Sequence, residues 1–148
     1  MHTSTVLRSL HQHAARPQAR AAAYRQVGVE TAVADASPHR LVQMLFDSLV
    51  ESITQARGAM QEGRVEAKGR AIGRAVRIVD EGLKASLDPA AGGALSRDLS
   101  DLYDYVALRL TQANLRNDAR ALDECQALIQ PLRDAWASIA GQVGAARA

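Results

Sequence analysis

The chain has 148 residues, 18 basic against 16 acidic, with 47% apolar and only 3% aromatic residues. That is one domain, able to build a core without disulfides or metals, and a net charge of +2 is too small to argue for nucleic acid or an anionic membrane. The single cysteine excludes an internal disulfide, and no apolar run reaches the ~18 residues of a membrane span or forms a signal-peptide core, so the cytosol is the expected location.

Residues 1–21 read as a flexible basic arm. Its apolar residues are scattered, and residues 1–29 hold four Arg and no acid, which leaves 14 basic against 16 acidic residues in the remainder. Tyr24, Val27, Val29 and Val33 follow around Gly28, too short a run for an independent helix. This stretch is expected to be a tether, or a short helix or cap, that docks onto the body.

Ser37-Pro38 marks a sharp helix start, because Ser caps and Pro is preorganised for the first helical position. Val42, Leu45, Leu49, Ile53, Ala56 and Met60 then step by three or four, with Phe46 beside them, until Gly63. Val65, Gly69, Ile72, Val76, Val79, Leu83 and Leu87 give a second stripe, stopped by Asp88-Pro89. A minor face on this helix carries Ala67, Ala71, Ile78, Gly82 and Ala85.

Ala90-Ala91-Gly92-Gly93 reads as a loop, with a third helix from near Leu95 or Ser96 to near Leu115. Leu99, Leu102, Tyr103, Val106, Leu110 and Ala113 form its core stripe, while Tyr105, Leu108 and Leu115 recur on another side. The fourth helix shows Leu122, Cys125, Ile129, Leu132, Trp136, Ile139 and Val143 in three-four alternation. Pro131 within it predicts a kink or break around residues 127–131.

Four helices joined by short links predict an all-α, antiparallel up-down-up-down four-helix bundle over residues 22–141, with a frayed tail over 142–148.

Enzymatic chemistry finds little support. His11 and His13 would diverge on a helix, His39 reads as a surface histidine in a first helical turn, and Cys125 lies on a core seam. Asp98, Asp101 and Asp104 lack the Glu-x-x-His pattern of bundle metal sites, and Gly92-Gly93 lacks the residues of a phosphate loop. No catalytic residue, cofactor or metal is expected. Arg70, Arg74 and Arg77 read as a solvated face rather than a nucleic-acid patch. What remains is extra apolar surface on helices two and three. It reads as a groove for an amphipathic helix, formed by Ile78, Tyr105, Leu108 and Leu115, with Tyr24 and Val27 as a competing lid. The rival reading is a homodimer that buries the same residues.

The run from Tyr24 through Thr31-Ala-Val-Ala-Asp-Ala-Ser-Pro-His-Arg-Leu to Asp47 resembles the start of the flagellin-specific export chaperones of the FliS family. So do Leu102-Tyr-Asp-Tyr105, Ala113-Asn114 and Leu132-Arg-x-Ala-Trp136, over about residues 22–140. Phe46 stands where the family usually has Tyr, and the N-terminal arm is longer than typical. The resemblance implies a cytosolic, non-enzymatic bundle that binds the C-terminal region of flagellin. It would prevent premature polymerisation and deliver its client to the gate of the flagellar type III apparatus. The family's N-terminal Tyr region, matched by Tyr24, would cover part of the groove in the free state.

Overall fold

The structure is a computed structural model that describes the backbone of residues 36–147 and the side chains of residues 36–139. The arm and tether, with Tyr24 and Val27, lie outside the described residues. Four helices follow in order: α1 (Pro38–Gln61), α2 (Val65–Arg77, continued by a π-helical segment Ile78–Lys84), α3 (Pro89–Arg116) and α4 (Ala119–Arg147). The described residues contain no strand, so the chain is all-α as its composition implies.

Local chemistry starts and stops these helices. Ser37 Oγ accepts the Arg40 N–H at 3.1 Å, with Pro38 in the first turn. Asp88 caps α3 by accepting the Ala90 and Ala91 N–H groups, and Asp118 does the same for α4 from Arg120 and Ala121. Asn117 ends α3 in the left-handed region at φ 50°, a conformation that Asn tolerates better than most residues. The Lys68 ammonium, largely buried, donates to the Asn114 carbonyl at 2.9 Å and to Asn117 Oδ1. A cation is thereby held at the negative end of α3.

Each helix packs on its chain neighbours, and α4 closes on α1, which leaves α1 diagonal to α3. His39 meets Trp136, Asp47 meets Arg133 at 2.8 Å and Arg57 meets Asp123 at 3.0 Å, so α1 and α4 run in opposite directions. Lys68 at the start of α2 reaches the end of α3, and Lys84 at its end reaches Asp104 at 2.6 Å. The core joins the four stripes around Phe46, Leu49, Tyr103, Leu110, Leu122 and Trp136, all fully buried.

Several expectations need correction. On α2, Ala71, Ala75, Ile78 and Gly82 are buried along with Ile72, Val79 and Leu83. Ala71, Ile78 and Gly82 of the supposed minor face thus join the stripe in one broad face, as a core-facing helix allows, while Ala85 is exposed. Val65, placed in that stripe, is 69% exposed at the first turn. The π-helical segment adds a residue to the turn and carries Gly82 against α1. A Cβ at Gly82 would fall 2.9 Å from Leu45 Cδ2, so this position holds the two helices at close approach.

The loop expected over residues 90–93 is a helical turn. It breaks at Gly93, whose φ of 53° and ψ of −127° suit glycine, before the long part of α3. In α4 the helix passes through Pro131 without a break. Pro131 and Ala127, whose carbonyl loses its N–H partner, are both exposed, so water can take up that carbonyl. Helical backbone also continues past Gly141 to Arg147.

His39 is not a surface histidine. Its Nε2 lies 2.9 Å from the Trp136 carbonyl, which can only accept, so Nε2 carries the proton. Trp136 Nε1 donates back to the His39 carbonyl at 2.9 Å, and the rings stack at 4.6 Å, 5° from parallel. The late Trp of α4 is thereby joined to the first turn of α1.

Candidate binding surface

The expected groove residues divide in two. Ile78 is 0% exposed, sealed among the chain's own helices, so it offers no docking surface. The reason is the merged face of α2, which turns Ile78 inward with Ala75 and Val79. Tyr105, Leu108 and Leu115 are 42%, 54% and 78% exposed. At helical spacing they occupy the side of α3 turned away from Val106 and Leu110, which are in the core. Three large apolar side chains on one outer face form a stripe that the described body leaves uncovered.

One end of the stripe is fixed by charge. Tyr105 donates its hydroxyl to Glu124 Oε1 at 2.7 Å, and Arg109 Nε donates to the same oxygen at 2.9 Å. Arg109 also reaches Gln112 Oε1 at 2.8 Å. The Tyr105 hydrogen bond, then Arg109, holds the Glu124 carboxyl below its usual range, while the bond to Glu124 raises the Tyr105 phenol. Glu124 was not singled out from the sequence. Its role depends on the rotation of α4 against α3, which no local pattern reveals.

Chemistry other than binding is poorly provided for. Cys125 is fully buried, its Sγ 3.7 Å from the Val106 carbonyl, and burial pushes its thiol up to about 12. Such a thiol is neither nucleophile nor metal ligand at neutral pH. Among the described residues no group of three or more His, Cys, Asp or Glu is placed to hold a metal. No described helix is long and apolar enough to cross a membrane.

A family model described as flagellar protein FliS matches residues 20–143, most of the chain. The chain belongs to the FliS family. It is 50% identical over 117 residues to the flagellar secretion chaperone FliS of Salmonella typhimurium, covering 79% of this chain and 87% of that protein. The Escherichia coli chaperone of the same name is 43% identical over 114 residues, 77% of this chain and 84% of that one. The Pseudomonas aeruginosa flagellar secretion chaperone FliSB is 43% identical over 116 residues, 78% of this chain and 91% of its own. The FliS family is one of chaperones rather than enzymes, and its matched span includes α1, α2 and α3 whole and most of α4.

Proposed function

We propose that this FliS-family chain is a cytosolic export chaperone that binds the disordered C-terminal segment of flagellin. It would hold that segment from premature polymerisation and bring it to a gate component of the flagellar type III apparatus. The observation that carries the reading is the exposed stripe of Tyr105, Leu108 and Leu115 on α3, in a chain whose relatives are flagellar secretion chaperones.

An isolated tail segment with apolar residues at helical spacing cannot nucleate stable helix alone, and the stripe supplies the surface it lacks. Covering the exposed part of each stripe residue returns roughly 1–2 kcal/mol. Ordering the client costs roughly 2–5 kcal/mol, before the loss of free tumbling. Three residues alone therefore do not hold it, and the client must spread along further surface. Tyr24 and Val27 are assigned as a lid that competes for the stripe in the free protein.

Co-purification with a flagellin C-terminal peptide, comparing the full chain with one lacking residues 1–30, tests this. Capture by both, tighter for the truncated form, is the expected result. Capture by neither overturns the chaperone reading, and equal capture removes the lid.

A further inference from the structure

A second surface lies away from α3, between α1 and α2. Gln55 and Ala59 of α1 and Ala67, Arg70, Ala71 and Arg74 of α2, with Arg64 at the turn, line a cleft of about 450 Å³. The basic wall is not the one that sequence spacing suggests. Arg77 is engaged with Glu81 at 3.7 Å and does not line the cleft, while Arg64 does.

The charges on this wall are unevenly satisfied. Arg64 pairs with Glu62 at 2.8 Å, and across the cleft Gln55 donates to Glu51 at 3.2 Å. Arg70 and Arg74 make no ion pair or hydrogen bond with any described residue. They stand one helical turn apart, where like charges repel. Guanidinium groups match carboxylates in a two-bond geometry, and the small Ala59, Ala67 and Ala71 let a partner backbone approach.

We propose that this cleft docks an acidic helical segment of a protein partner, with carboxylates spaced four residues apart on Arg70 and Arg74. The chain's own basic arm over residues 1–21 does not fit, because it carries Arg and no acid. Nucleic acid fits poorly, because among the described residues no aromatic side chain lines the cleft for bases to stack on. Since α1 is diagonal to α3, this partner and a client on the α3 stripe occupy different faces and can be held together. The assignment does not depend on what the stripe binds.

The test is fluorescence anisotropy of a labelled helical peptide bearing Glu pairs four residues apart, titrated with the full chain in low salt. Binding is expected to weaken at least about tenfold in Arg70→Glu/Arg74→Glu, to fall with added salt and to persist in Leu108→Asp. The melting temperature of the double variant should change little, since both positions are exposed and one like-charge pair replaces another. If that variant does not fold, Arg70→Gln/Arg74→Gln takes its place. No binding, binding unchanged by either double variant, or tighter binding of a labelled single-stranded DNA of equal charge overturns the proposal.

Discussion

Leu108 is more than half exposed and faces away from Val106 and Leu110, so an aspartate there meets water in the free protein. Exposed substitutions of this kind usually change stability by no more than about 0.5 kcal/mol. In the complex the same carboxylate would be forced against apolar client surface. Leu108→Asp is therefore expected to weaken capture of a flagellin C-terminal peptide at least about tenfold while leaving the thermal midpoint nearly unchanged. Unfolding by this single change would place Leu108 in the core. Tyr105 answers a finer question, that of pH. Glu124 is lowered, so its share of stability is present above the ordinary carboxylate range and is lost as pH falls through the lowered value. Tyr105 is raised, so its share is present below the ordinary phenol value and is lost as pH rises through the raised one. The contact is thus intact across the neutral range. In Tyr105→Phe, with Arg109 still paired, NMR titration should find Glu124 shifted part of the way back towards its ordinary value.

Among the helices, α2 carries the sharpest contrast. Gly82→Ala adds a methyl 2.9 Å from Leu45 Cδ2, inside the core, and should destabilise by about 1–3 kcal/mol in urea unfolding. Gly73 is exposed in the same helix with nothing near its missing Cβ, so Gly73→Ala should stabilise by about 1 kcal/mol. Equal effects at the two positions would contradict the close α1–α2 approach. The contrast also shows what could be read before any coordinates. Ser37 and the stripes on α1, α3 and α4 act through neighbours within four residues, so their spacing was enough to place them. Ile78, His39 and the π-helical segment were misjudged or missed because their state is set across the bundle, by Leu45 against Gly82 and by Trp136 against His39. Of the kink or break expected at Pro131, the break does not occur, for a different reason. The cost of its missing N–H depends on whether residue 127 faces water, a fact of rotation about the bundle axis. Of the stripe residues, Tyr105, Leu108 and Leu115 were legible because surplus apolar residues lie off an already complete core face. Outside the stripe, the exposure of Val65 and the role of Glu124 were not.

At the scale of the whole molecule, the surface divides by chemistry. The outer side of α3 offers apolar side chains steadied by the Tyr105–Glu124–Arg109 contact, and the α1–α2 cleft offers Arg70 and Arg74, unpaired among the described residues. The seam between α4 and α1 is closed by ion pairs and by the stacked His39–Trp136 rings. That last contact has an optical consequence. Trp136 is the chain's one indole, so its fluorescence reports on a single place, the dry junction between the first turn of the described body and its last helix. Occupancy of the α3 face should leave the emission maximum where it is, whereas prising α4 from α1 should move it to the red. A client peptide that shifts the colour without unfolding the chain would reveal that loading loosens the far side of the bundle.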